Sequence, residues 1–189
     1  MSDKTSQQYE TAMSHCRSVF QAKARDYGCA WRVLRPSSLT DQIYIKANRI
    51  KNIQGKGTHK IDEGIEPEFI GIVNYAIMAL IQCDLGVADR DDLPPEKVMQ
   101  HYDHYAHESK VLMESKNHDY GEAWRNMRVS SLDDIILMKL LRIKRIEDNH
   151  GAAEVSEGVE AGYFDIVNYA VFALIKLMEA NMDVKLVNV

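Results

Sequence analysis

Between Gln7 and Lys23 the chain has neither glycine nor proline, and the whole sequence holds only four prolines. Nothing in that stretch interrupts a helix, and Tyr9, Met13, Cys16 and Phe20 recur at three- or four-residue steps, as on one helical face. Cysteine is equally scarce. Cys16, Cys29 and Cys83 are odd in number, lack metal-ligand spacing, and fall opposite Ser109, Glu122 and Leu177 when the two halves of the chain are aligned. That argues against a disulfide framework and for ordinary thiols in a reducing compartment. No uninterrupted apolar run reaches the roughly 18 to 20 residues of a membrane span. The chain opens on the polar Met1-Ser2-Asp3-Lys4 rather than a signal peptide, so a cytoplasmic location without a membrane partner is expected. Positive charge is also short: a net charge of -5 argues against a broad nucleic-acid surface, although a local basic patch could hold phosphates.

What the sequence does contain, it contains twice. Lys23-Ala24-Arg25-Asp26-Tyr27-Gly28-Cys29-Ala30-Trp31-Arg32 returns as Lys116-Asn117-His118-Asp119-Tyr120-Gly121-Glu122-Ala123-Trp124-Arg125, and Ile72-Val73-Asn74-Tyr75-Ala76 returns as Ile166-Val167-Asn168-Tyr169-Ala170. From Lys23 to Ile53 the second copy matches at roughly 18 of 31 positions. Similarity at a fixed period implies a duplicated structural unit, and the 189 residues suffice for one pseudo-symmetric domain. We place repeat one at about 5–87 and repeat two at about 95–182, with Asp91-Asp92-Leu93-Pro94-Pro95 as the joint.

Each repeat reads as three helices. In the first, a helix ends near Gly28, a second runs from a cap at Ser37-Ser38 to about Ile53, and a third, apolar nearly all round, spans about Glu66 to Cys83. In the second, the helices cover about Glu96 to Asp119, Ser131 to Asn149 and Glu160 to Ala180. The expected fold is all-α, a six-helix bundle of two tandem three-helix repeats related by a pseudo two-fold. The two apolar third helices should pack together at its centre.

Polar residues kept in both copies are the candidates for function. Lys116 and Asp119, like Lys23 and Asp26, lie three apart on a last helical turn and share a face. Tyr120 and Trp124 sit beside that turn, with plugging of the bundle end as the alternative to stacking on a ligand. Lys46 with Arg49, and Lys139 with Arg142, present paired cations suited to a polyphosphate, or else a solvated helix face. Asn74 and Asn168 sit in apolar surroundings and each needs a hydrogen-bond partner, which the other asparagine near the pseudo-axis could supply. Gly71 stands where the second copy has Asp165, one turn before Asn168. Asp165 with Glu160, Glu157 or Asp119 would form an oxygen-rich Mg²⁺ site, which makes the second copy the better catalytic candidate. His101, His104, His107 and Glu108 have helical spacing but no counterpart in the first copy, and read as a solvated face.

The combination of Lys-x-x-Asp-Tyr-Gly-x-x-Trp, a basic second helix, Glu-x-x-Glu and an Ile-Val-Asn-Tyr-Ala helix resembles the nucleotide-modification-associated domain family, type 1, over most of the chain. More remotely, it is similar to the MazG and dimeric dUTPase group of all-α pyrophosphohydrolases. That group holds Mg²⁺ through a Glu-x-x-Glu pair and a Glu-x-x-Asp pair; the second helices of this chain are basic where the first pair would lie. The resemblance implies a nucleotide or nucleotide-like ligand. In a Mg²⁺-dependent pyrophosphohydrolase, Asp165, Glu160, Glu157 and Asp119 would serve the metal and water. Lys139, Arg142, Lys116, Lys46 and Arg49 would hold phosphates, and Trp124 or Tyr120 the base. The rival expectation is a non-catalytic nucleotide-binding or scaffold protein accompanying nucleotide-modification enzymes. A homodimer is compatible with either.

Overall fold

The computed structural model describes residues 3–56, 64–149 and 158–187. Among these there are six α-helices, two short 3-10 turns and no strand: α1 Asp3–Tyr27, α2 Pro36–Lys56, α3 Glu66–Leu85, α4 Pro95–Tyr120, α5 Val129–Asp148 and α6 Val159–Val187. The 3-10 turns, Ala30–Val33 and Ala123–Asn126, follow α1 and α4 and carry the two tryptophans. The expected all-α architecture and its two three-helix units are what the chain adopts.

Local chemistry sets the boundaries. Gly28 and Gly121 adopt positive φ values of 63° and 62°, and their N–H groups bond back to the Ala24 and Asn117 carbonyls at 3.0 and 2.9 Å, ending α1 and α4. The cap expected from Ser37-Ser38 is not used. Pro36 is the first residue of α2, where a missing N–H costs nothing, and the Arg35 carbonyl accepts from the Ser38 and Leu39 N–H groups instead. Pro95 opens α4 in the same way, with Pro94 as its cap.

Helices α2, α3, α6 and α5 form a four-helix ring, and α1 and α4 lie together across the α3/α6 side. By length and composition α3 and α6 are each apolar enough to cross a membrane, contrary to the run-length reading, which interior polar residues such as Asn74 and Asn168 obscure. Their apolar surface is used inside the bundle: Ile72, Val73, Ala76 and Ile77 pack with Ile166, Val167, Ala170 and Val171 in one core.

Two reciprocal contacts express the pseudo two-fold. Lys51 pairs with Asp134 at 3.2 Å and Lys144 with Asp41, so four charges kept in both copies stitch α2 to α5. More deeply, Tyr102 of α4 donates its hydroxyl to Asn74 Oδ1 at 2.9 Å, and Tyr9 of α1 donates to Asn168 Oδ1 at 2.7 Å. Each repeat thus supplies a donor to the amide oxygen of the other's buried asparagine. The partner is a tyrosine, and the two asparagines do not pair with each other.

Candidate functional site

At the C-terminal end of α4 the chain turns sharply, because Gly121 and Glu122 both take left-handed conformations before the Ala123–Asn126 turn. The turn folds Trp124 under α4 and onto α6, where its ring stacks on Phe172 at 4.3 Å with planes 2° apart, while the Arg125 guanidinium lies 4.5 Å above it. Between α4, this turn, α5 and α6 a cavity of about 290 Å³ remains, near the lower end of the range for small-molecule sites. Met113, Tyr120, Met127, Tyr169 and Phe172 supply its apolar and aromatic wall; Lys116, Asn117, Lys139, Asp165 and Asn168 supply the polar one.

The polar wall centres on Asp165. Lys116 Nζ lies 2.5 Å from one carboxylate oxygen and Lys139 Nζ 2.6 Å from the other. Burial works to raise the Asp165 carboxyl, but the two ammonium hydrogen bonds outweigh it and hold the pKa below the ordinary aspartate value. The group is therefore an ionised acid saturated by two cations.

Two buried donors have no partner among the described residues: the Asn168 amide nitrogen and the Trp124 indole nitrogen, both on residues only 5 % exposed. The Asn168 oxygen is already occupied by Tyr9, so it does not join Asp165 as the metal-directed oxygen expected from the spacing.

The sequence-derived site residues thus divide. Lys116, Tyr120, Trp124, Lys139, Asp165 and Asn168 converge on one cavity. Arg142 is exposed and lines a shallow recess beside Lys139 and Asp165. Asp119 is 74 % exposed and contacts His118, while Lys116 on the same turn reaches Asp165 instead. Glu160 is exposed and, five residues before Asp165, points about 140° away around α6. Glu157 lies outside the described residues. Among the described residues no cluster of three metal-binding side chains exists. Among the described residues the one central carboxylate is taken by ammonium groups, and neither Asp119 nor Glu160 joins it to make an oxygen-rich Mg²⁺ site. Trp124, covered by Phe172 and Arg125, is framework; Tyr120, 74 % exposed, is the ring open to stacking.

The first repeat arranges the same elements differently. Gly71 replaces the aspartate, and a Cβ there would fall 2.6 Å from Lys46 Cε, so the lysine fills the space. Lys46 reaches Glu68 at 3.3 Å and Arg49 bonds the same carboxylate, which is almost wholly buried. One buried carboxylate therefore pairs with both members of the basic pair. Alignment shows the exchange: Glu68 and Gly71 stand opposite Gly162 and Asp165, so the acid has moved one helical turn between copies. Asn74 is also satisfied on both sides, because its nitrogen donates to the Cys16 carbonyl at 3.0 Å.

The segments that build these two arrangements, residues 23–83 and 116–177, are each matched by the model of the family described as nucleotide modification associated domain 1. The chain belongs to this family. No curated protein and no solved structure matches it, and nothing links it to the MazG-like pyrophosphohydrolases. Within this chain, the matched segments include the α4 turn, α5 and most of α6, and with them every residue lining the second-repeat cavity except Met113.

Proposed function

We propose that the second repeat is a nucleotide-binding module that works without hydrolysis, holding the base in the cavity and the phosphate at its cationic lip. The observation that carries this reading is the meeting, in one cavity, of an aromatic wall and two lysines. Such a combination of apolar lining with a few placed polar groups is the usual chemistry of a small-molecule site. Each ammonium carries three N–H groups, and Asp165 occupies one on each lysine, so both keep donors for a phosphate oxygen. Tyr120 stands exposed at the rim, where it can cover a base. The family's association with nucleotide modification agrees with such a ligand.

Titration calorimetry with nucleoside mono-, di- and triphosphates, in EDTA and in Mg²⁺, tests the reading. Binding in EDTA is expected, with affinity falling about ten-fold or more in Lys139→Gln, since hydrogen bonds to charged groups are worth about 1.5 to 3 kcal/mol. Absence of heat and of thermal shift across the panel would overturn it. Mg²⁺-dependent release of pyrophosphate that disappears in Asp165→Asn would replace it with the hydrolytic reading.

A further inference from the structure

We infer that a second copy of this chain docks on the outer face of α5, the two α5 helices packing antiparallel across a two-fold between Met138 and Leu141. The inference is independent of the nucleotide-binding reading. Asp134, Met138, Leu141 and Arg145 are all exposed and follow one another at steps of four, three and four, which places them on one face of the helix. Met138 and Leu141, 57 % and 52 % exposed, are thus neighbouring apolar side chains turned away from the core, with Ile45, 59 % exposed, on the adjoining α2. The stripe begins on an acid and ends on a base. Laid antiparallel on its own copy, it brings Met138 against Leu141 and Asp134 against Arg145 of the partner subunit, each contact made twice. Lys51 bonds one oxygen of Asp134, at 3.2 Å, and a carboxylate accepts at both. A stripe complementary to its own reverse selects a second copy over an unrelated partner, because one two-fold satisfies its apolar centre and both charged ends together.

The first repeat shows that this stripe is not imposed by the fold. Its equivalent on α2 is Asp41, Ile45, Asn48 and Asn52. The acid and one apolar residue are kept, but Asn48 turns its amide to the Tyr44 carbonyl at 2.9 Å, and Asn52 stands in place of the arginine. Reversed on itself, that stripe would set asparagine against both Asp41 and Ile45, so the self-complementary face belongs to α5. Lys139 lies roughly 130° around α5 from the centre of the seam, so docking leaves the second-repeat cavity open on each subunit.

The test is sedimentation velocity of the full chain. A seam of about three helical turns is small for a specific interface, so the 21.6 kDa chain is expected to double its mass reversibly, with a dissociation constant on the order of 10 µM, in a series from about 1 to about 500 µM. Asp134→Arg and Arg145→Asp should each weaken the dimer by about ten-fold or more, since either one sets like charges together at both ends of the seam. An equimolar mixture of these two variants should dimerise again, because each end of the mixed pair joins an acid to a base. Leu141→Lys should abolish association. All three substitutions lie on an exposed face, and circular dichroism and melting verify that each variant is folded. A chain that stays monomeric throughout the series overturns the inference and leaves the stripe to a different protein. A dimer that survives both charge reversals and Leu141→Lys uses another face, and overturns it equally. Loss in both charge variants without recovery on mixing overturns the antiparallel pairing.

Discussion

The two repeats share a scaffold and differ in how completely they consume their own polar groups. In the first, the buried Glu68 pairs with Lys46 and Arg49, and Asn74 is bonded at both ends of its amide. The buried Arg32 grips Asp92 of the joint, with Gln82 and the Gly86 carbonyl beside it. In the second, the acid sits one turn later and draws Lys116 and Lys139 to a cavity edge, leaving Asn168 and Trp124 with unpaired donors. Arg125, the counterpart of Arg32, is partly exposed and ties α1 to the bundle through Thr5 and Gln8. The contrast teaches that the two copies diverged after duplication: one closes the joint, and the other keeps a cavity edged by lysines.

The sharpest way to break this contrast is at the two arginines. Arg32→Met should cost about 2 to 3 kcal/mol in urea unfolding, because it leaves the buried Gln82 side-chain oxygen without its donor, whereas the exposed Asp92 carboxylate can turn to water. Arg125→Met should cost about 1 kcal/mol, since its partners can turn to water. Equal losses would remove the distinction between a closed and an open copy.

Next in size is Asp133, 1 % exposed on α5, whose two oxygens have no partner. Its counterpart Thr40 bonds the Tyr163 hydroxyl at 2.7 Å and Glu147 at 2.8 Å, but the residue aligned with Tyr163 on the other side is Phe69, which brings no hydroxyl. Burial, aided by the neighbouring Asp134 charge and opposed by Lys51, pushes the Asp133 carboxyl from 3.8 up to about 7. Between those values the folded chain retains a proton that the unfolded chain has released. Stability should therefore fall as pH rises from about 4 to about 7, with the full penalty present above. Asp133→Thr, which copies the first repeat, should flatten that decline and stabilise the protein by about 2 kcal/mol at pH 8 in urea titrations. An unchanged pH profile would show that the carboxyl finds a partner.

Smaller effects are expected from the crossed tyrosines. Tyr9→Phe and Tyr102→Phe should each cost about 1 kcal/mol of stability, by loss of one buried hydrogen bond. Only Tyr9→Phe should also weaken nucleotide binding, because it releases the amide that faces the cavity. Equal effects on binding would place the ligand elsewhere. The least consequence is expected at α2/α5: Asp41→Asn and Asp134→Asn should each shift stability by less than about 1 kcal/mol, as exposed pairs do.

Much of the fold was legible because periodicity and punctuation are local. Gly28, Gly121, Pro95 and the apolar stripes place the helices to within a few residues. The site was half legible. Comparing Gly71 with Asp165 pointed to the copy that holds this cavity, and Lys116, Tyr120, Trp124, Lys139 and Asn168 do line it with that aspartate. What the spacing hid is who neutralises whom. Lys46 and Arg49 look like a phosphate clamp until Glu68, which faces Gly162 in the alignment, is seen to have taken over the role of the absent aspartate. Asp165 looks like a metal ligand until lysines from α4 and α5 are folded onto it. Tyr9 and Tyr102 recur at equivalent positions, yet their bonds to Asn168 and Asn74 cross between repeats, and helical periodicity carries no record of such a crossing.

That crossing makes the two halves obligate complements. A fragment ending at the joint would carry Asn74 without Tyr102, and the remaining fragment Asn168 without Tyr9, so each alone would expose its apolar third helix with a stranded amide. Cut within Asp91-Asp92-Leu93 and co-expressed, the pieces should reassemble into one particle, and neither should be recovered folded by itself. The tyrosine exchange thus acts as a two-key lock on assembly, in which the half bearing the cavity takes shape only when its sister is present.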